Sequence, residues 1–544
     1  MSQPTPCHRL RYRFPRLLTA LLVAAVLGLG GCLPGKTAPP GPSSGGNPSA
    51  GEDPAQPDPA QPRPQPGPFD ILITGAMVYD GTGAPPRRAD VGVKGDRIAA
   101  VGDLSGAQAA RRIDAEGLAL APGFIDLHAH TYEYDDADGV AALMQGVTTQ
   151  FGGVDGRHHG YLGQARPESI AAALRWIEER GTGVNQGLFA GLETLRRQVG
   201  AQGRPATPAE IEKMQELLRQ ALAEGAFGLS SGLEYEIGGL HAPTEEIIAV
   251  ARAMAPDRGV YATHIRHERS DVRAGVEEAL RIGREAGVPV AIQHFKFVGP
   301  RQWAQFEAVM AALDQAHAAG QSLTVDVYSY LTPDYGMHLP LEEAWATAGD
   351  PEIIVLERKV PAELQGKTLA EAAALRGVAP ADLAAELVRG GAIATVEWIR
   401  LEHLGEILRR PYTLTSSDGE ARALLPPDQV FQRGVGVHPR SYGNYPRLLR
   451  LNREHGWLPL EALIRKMTGA AADFYRIPDR GYIREGAYAD LVVFDPRTVA
   501  EGATWWEPQA YPVGIHYVLV NGQVAVDGGK PTGVKAGRAL RRQP

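Results

Sequence analysis

Eight short apolar runs, each closing on polar side chains, set the strongest limit on how this chain can fold. They are GFIDLHAH from Gly123, VTTQFGGVD from Val147, VNQGLFAGLE from Val184, AFGLSSGLEY from Ala226, VYATHIR from Val260, VAIQHFK from Val290, LTVDVYSY from Leu323 and YTLTSSDG from Tyr412. Apolar runs of this length, bounded by polar and turn residues, read as buried strands. Helical patterns lie between them. Thr207-Pro208-Ala209-Glu210 is a capping box with proline at the first helical position, and Ile211, Met214, Leu217, Leu218, Ala221 and Leu222 then recur at helical spacing. A second amphipathic helix is expected over Ala274 to Ala286, stopped by Gly287. Eight strands alternating with helices predict an α/β chain of (β/α)8 barrel type. The rival, a doubly wound sheet, lacks its glycine-rich turn after the first strand.

Both ends of this body have a different texture. Phe69 to Asp80 and Asp90 to Val101 alternate apolar and polar residues around glycine-rich turns. The same pattern returns in Ala489 to Pro496 and in Ile515 to Gly529, with a hairpin turn at Asn521-Gly522. The two termini are therefore expected to build one small β-domain. About 80 residues, from Leu331 to Arg410, separate the seventh and eighth runs. A connection of that length is usually functional or disordered, and this one reads as a lid-like insertion over the pocket.

Upstream of Phe69 the chain reads as export machinery. Arg9, Arg11, Arg13 and Arg16 precede an uncharged apolar run from Leu17 to Gly30. That run is shorter than the ~20 residues that span a bilayer and fits a signal peptide. It ends in Leu29-Gly30-Gly31-Cys32, which resembles a bacterial lipobox with Cys32 as the lipidation site. Residues 33–68 are rich in proline, glycine, serine and glutamine and form a disordered tether. The expectation is an exported lipoprotein anchored to a membrane by lipid alone. Leu33, where inner-membrane retention favours aspartate, points to an outer membrane. Cys7 and Cys32 are the only cysteines, so the body has neither a disulfide framework nor a thiolate zinc site. A net charge of −8 argues against nucleic acid as a partner.

In a barrel, function gathers where the strands end. His128 and His130 end the first run, and residues i and i+2 of a strand project to one side, so both imidazoles can grip one cation. His264 ends the fifth run, His294 the sixth and Asp418 the eighth. Packing gives no reason for four histidines and an aspartate at matching places on separate strands. Imidazole nitrogens with carboxylate oxygens suit zinc, as one or two divalent ions.

The strings APGFIDLHAHTY, THIR, QHFK, SSDG, REGAYADLVVFDP and VLVNGQ resemble the amidohydrolase superfamily. More narrowly, GAFGLSSGLEY, HAPTEEIIAVARA, GVYATHIR, HPRSYGNYPRLL and ALIRKMTGAAADFYRI resemble, in order, the N-acyl-D-amino-acid deacylases, over roughly Phe69 to Gly529. The resemblance implies a metal-bearing barrel (122–479) with a small β-sandwich built from 69–121 and 480–544. It implies His128, His130, His264 and His294 as metal ligands, with Asp418 as metal neighbour and proton shuttle. Lys296, Tyr328 and Arg440 match the family's positions for the substrate carboxylate. The implied reaction is hydrolysis of an N-acyl amino acid, of D configuration, by metal-activated water.

Three departures stand out. The family carries a cysteine ligand after the second strand, in Gly-Asn-Cys-Gly, where this chain reads Gly153-Val154-Asp155-Gly156. Asp155 would then bind or bridge metal, with Glu234 as the rival. A carboxylated lysine is unavailable on the early strands, since no lysine lies between Lys94 and Lys213. Leu192 replaces a family histidine in AGLETLR. Asp334 replaces a serine six residues after Tyr328, which would disfavour anionic substrate groups. Arg266 reads equally as a substrate contact or as a structural ion-pair former. The same ligands would also serve a cyclic-amide or dipeptide hydrolase, and a barrel without catalysis would be a ligand-binding lipoprotein.

Overall fold

The computed structural model describes residues 68–543, except 132–137, 159–168, 236–238, 255–258, 421–422, 428 and 432–435. The expected signal peptide, Cys32 and all but the last residue of the tether lie outside the described residues.

All eight apolar runs form strands: β1 (Phe124–Asp126), β2 (Val147–Gly152), β3 (Asn185–Leu188, resuming at Ala190–Gly191), β4 (Gly228–Gly232), β5 (Val260–His264), β6 (Val290–Ile292), β7 (Leu323–Val327) and β8 (Thr413–Thr415). Each pairs in parallel with the next. The ring closes just beyond the strands, where Gly419 pairs with Ala129 and Glu420 with His130. The chain is therefore a closed (β/α)8 barrel.

Local sequence explains the connections. Thr207 Oγ1 accepts from the Glu210 N–H while the Glu210 carboxylate accepts from the Thr207 N–H, which opens the helix Pro208–Ala223. The helix Val272–Ala286 starts two residues before the amphipathic pattern, at the Asp271 cap, and stops at Gly287 with φ 72°. The barrel interior is filled rather than hollow. Phe151, Phe189, Phe227 and Tyr475 are buried there, with ring centroids 4.8 Å apart for Phe151–Phe227 and 5.4 Å for Phe151–Tyr475. Each such side chain contributes roughly 1.5–3 kcal/mol by burial and closes the floor beneath the strand ends.

The β-domain is one hydrogen-bonded sheet of nine strands folded over its own core. Its two halves join where the strand Ala119–Pro122 runs antiparallel to Leu491–Phe494. Along the second of these strands, alternate side chains serve two cores. Leu491 and Val493 face the β-domain's own core, whereas Val492 and Phe494 pack into the barrel core. The Asn521-Gly522 hairpin has φ of 47° and 79°, as a primed two-residue turn requires. The last residues leave this domain. Gln186 bridges to Ala539, and the Arg542 N–H donates to the Gly225 carbonyl, so the tail covers the base of β3 and β4. The region 480–544 is thus not wholly part of the β-domain.

The insertion has a core of its own. Leu339–Pro340, Ile393–Val396 and Ile354–Arg358 form a small sheet, packed with Leu341, Leu369 and Leu383. The helix Leu401–Leu408 does not belong to it: Leu404, Ile407 and Leu408 pack in the barrel core. The barrel therefore resumes at Leu401, ahead of the Arg410 boundary drawn from the sequence.

Candidate active site

The strand ends gather the expected side chains in one place. His128 and His130 leave β1 with ring centroids 5.3 Å apart, and the Nε2 atom of each lies 3.3 Å from Asp418 Oδ1. Asp155 enters from the end of β2. Its Oδ1 is 3.9 Å from His128 Nε2 and 3.6 Å from His294 Nε2, and its Oδ2 is 3.9 Å from His130 Nε2. His264 Nδ1 lies 3.0 Å from His294 Nε2. Five residues from β1, β2, β5 and β6, with Asp418 following β8, thus converge on adjoining positions. Asp155, His294 and Asp418 all have positive φ, at 52°, 38° and 51°. Such backbone costs energy for a side chain with Cβ and is found where the surrounding structure fixes a functional group.

Buried acids beneath this layer hold the strand ends together. Asp126 accepts from the Ser417 N–H at 2.7 Å, tying the end of β1 to that of β8. Burial pushes its carboxyl up to about 6 despite the hydrogen bonds from Ser417 and Gln150. Asp326 on β7 accepts from the His294 N–H at 2.8 Å and from the Ser416 hydroxyl. Neither acid stands out in the sequence, because each is embedded in an apolar run. Glu234, the rival to Asp155, lies 3.8 Å from His264 Nε2 and is held by Arg269 Nε at 2.8 Å. It flanks one histidine, whereas Asp155 stands among three.

Around the histidines, the carboxylates of Asp155, Asp418, Glu234 and Glu268 outnumber the cations Lys296, Arg440 and Arg269, a balance that favours a metal ion. Burial alone would raise the Asp155 carboxyl, but the imidazoles of His128, His294 and His264 hold it well below the usual carboxylate range. Burial and Lys296 oppose a charge on His294, yet Glu268, Asp418 and Asp155 raise it to about 10. His128 Nε2 and Asp155 Oδ1 are buried and make no hydrogen bond among the described residues. Buried polar atoms without partners are costly, and these are imidazole nitrogen and carboxylate oxygen facing each other. The donor set fits a divalent metal. His128, His130 and Asp418 form one group that could hold it, and His128, Asp155 and His294 another.

Beside the ligands lie Lys296, Tyr328 and Arg440, all buried. The Tyr328 ring sits between the two cations, 5.6 Å from Lys296 Nζ and 4.9 Å from the Arg440 guanidinium carbon. Its hydroxyl is buried and makes no hydrogen bond among the described residues. Arg440 reaches Asp418 Oδ2 at 2.9 Å through Nη1 and Asp334 at 3.0 Å through Nη2. His438 Nε2 donates to the Thr332 carbonyl, and its Nδ1 accepts from the Arg440 N–H at 3.0 Å, which fixes the backbone that carries this arginine. Arg266 is structural: it pairs with Glu278 at 3.0 Å and donates to the Leu240 and Ala242 carbonyls. Leu192 is buried in the barrel core. Glu268 escapes a reading of the sequence, where it stands in the charged string His267-Glu268-Arg269, yet its carboxylate is buried 2.9 Å from His294 Nδ1.

The amidohydrolase family model matches residues 111–526. The chain is 38% identical to a D-aminoacylase of Alcaligenes xylosoxydans xylosoxydans, over 87% of this chain and 98% of that one. It is 34% identical to an N-acyl-D-glutamate deacylase of the same organism, over 87% of this chain and 96% of the relative. Among solved structures, it is similar to the N-acyl-D-glutamate deacylase of Bordetella bronchiseptica complexed with zinc and a phosphonate inhibitor that mimics the tetrahedral intermediate. That match has a TM-score of 0.71 at 33% identity and covers 87% of this chain and all of the other.

Proposed function

The chain belongs to the amidohydrolase family, and from that premise we propose that it hydrolyses the amide bond of N-acyl-D-amino acids with zinc as its metal. The observation that carries this reading is the convergence of Asp155, Asp418 and three histidines beside a pair of cations flanking Tyr328. His128, His130, Asp155, His264, His294 and Asp418 would hold the metal. When bound, zinc supplies a Lewis acid that lowers the pKa of water and polarises the acyl carbonyl.

The chain's own residues do the rest. Arg440 keeps Asp418 ionised, against the effect of burial, so its carboxylate can accept a proton from the attacking water. Asp418 then gives that proton to the departing nitrogen, which an amide requires because its anion is a very poor leaving group. Lys296 and Arg440 supply positive charge for the substrate's free carboxylate, and the Tyr328 hydroxyl supplies a donor. The D configuration rests on similarity to the D-aminoacylase and the N-acyl-D-glutamate deacylase. Paired N-acetyl-D- and N-acetyl-L-amino acids, assayed with added zinc and with chelator, test the reading. Zinc-dependent hydrolysis of the D series supports it; hydrolysis of cyclic amides or dipeptides alone overturns it.

We also propose that the enzyme is an exported lipoprotein carried at a membrane surface by Cys32. The support is the Arg-rich start, the apolar run Leu17 to Gly30 and the small-residue approach to Cys32. Cys32→Ser should move the protein from the membrane to the soluble fraction and abolish labelling by a fatty-acid probe. Unchanged labelling would refute the anchor.

A further inference from the structure

We propose that Glu268 is a positioning residue that fixes a metal-binding histidine and the substrate-binding lysine through one carboxylate oxygen. The proposal rests on the functional reading above, and its support is geometric. Glu268 Oε2 lies 2.9 Å from His294 Nδ1 and 2.8 Å from Lys296 Nζ. All three residues are buried, at 3% exposure for Glu268, 2% for His294 and 5% for Lys296. His294 presents its other nitrogen, Nε2, to Asp155 and His264. His264 Nδ1 also lies 3.9 Å from Glu268 Oε2, and His264, Glu268 and His294 form a third group that could hold a metal, so Glu268 as a direct ligand is the alternative that the zinc titration below decides.

Counting hydrogens makes the arrangement specific. An imidazole that binds metal through Nε2 carries its proton on Nδ1, and that N–H needs an acceptor. Glu268 Oε2 is in place to accept it. Lys296 has three N–H donors. One faces Glu268 Oε2 and one the His294 carbonyl at 2.9 Å, while His294 Nδ1 lies 3.0 Å from the same Nζ. Once Nδ1 carries a proton, it can no longer accept from Lys296. The third N–H of the lysine is then available to the substrate carboxylate. Glu268 thereby links metal binding to carboxylate binding, although it touches neither.

The test compares Glu268→Gln with Lys296→Met in the full-length protein. Zinc affinity is measured by competition with a chromogenic chelator, and KM and kcat on the best substrate of the panel above. Glu268→Gln should weaken zinc binding about 10–100-fold and raise KM about tenfold or more at saturating zinc, with a smaller change in kcat. Lys296→Met should raise KM and leave zinc affinity unchanged. If Glu268→Gln fails to fold, Glu268→Asp replaces it and should show both effects in weaker form. A folded variant with zinc affinity and KM both within threefold of wild type overturns the proposal. So does loss of a whole zinc equivalent, which would make Glu268 a ligand. Wild-type protein that hydrolyses no N-acyl amino acid overturns the functional reading instead, and the zinc titration still decides the Glu268–His294 half of the proposal.

Discussion

Replacing Asp418 by asparagine separates chemistry from folding. Asparagine tolerates the left-handed backbone at this position, where φ is 51°. It also preserves an oxygen that can accept from Arg440, which keeps its second partner, Asp334, at 3.0 Å. The stability loss should therefore stay near that of one weakened charged hydrogen bond, about 1–2 kcal/mol. The catalytic loss should be far larger. The amide cannot take a proton from water and return it to the leaving nitrogen, and general acid–base groups contribute about 10²–10⁴-fold, or roughly 3–5.5 kcal/mol of barrier. The substrate-binding cations remain, so KM should change little. Steady-state kinetics on zinc-loaded protein, with a thermal melt as control, give the answer. A variant that melts within a few degrees of wild type yet keeps kcat within tenfold would refute the proton-shuttle role.

Asp155→Asn should fold, since φ is 52° there, and lose zinc affinity because a neutral amide replaces the carboxylate among three imidazoles; wild-type zinc affinity by chelator competition would refute the ligand role. Tyr328→Phe removes a buried hydroxyl that makes no hydrogen bond among the described residues, so the melting temperature should not fall, while KM should rise about 2–10-fold, equivalent to one hydrogen bond; an unchanged KM counts against contact with substrate. Burial pulls the Lys466 ammonium down to about 8, although it donates to the Arg410 and Thr413 carbonyls. The unfolded chain then holds more protons between about pH 8 and 10.5, so stability rises with pH across that window, by up to about 3 kcal/mol. Denaturation at about pH 7.5 and about pH 10 should show this rise in wild type and not in Lys466→Met, and a pH-independent difference between the two refutes it.

The barrel is legible in the sequence because each strand run announces its own end. GFIDLHAH forms ladder over Phe124–Asp126 and again, against Gly419–Glu420, over Ala129–His130, and the break between the two carries His128 and His130 into the mouth. The histidines and Asp418 are visible for the same reason. Other parts depend on partners that a linear pattern does not name. Leu401–Leu408 looks like part of the insertion until its apolar face is seen against the barrel. The family resemblance places the tail beyond Pro531 with the β-domain, yet Ala539 bridges to Gln186 at the barrel base. Glu268 sits in a charged string that reads as a solvated surface, and only the approach of His294 and Lys296 from β6 makes it a buried acceptor. Lys296 and Arg440 can be found from the sequence, but their carboxylate partners, Glu268 and Asp334, belong to loops whose positions follow from the closed barrel.

X-ray absorption at the zinc edge of the loaded enzyme tests the central claim most directly. The expected result is a shell of nitrogen and oxygen neighbours at about 2.0–2.1 Å with imidazole scattering, and no sulfur at about 2.3 Å. A sulfur shell, or zinc surrounded by water alone, would contradict it.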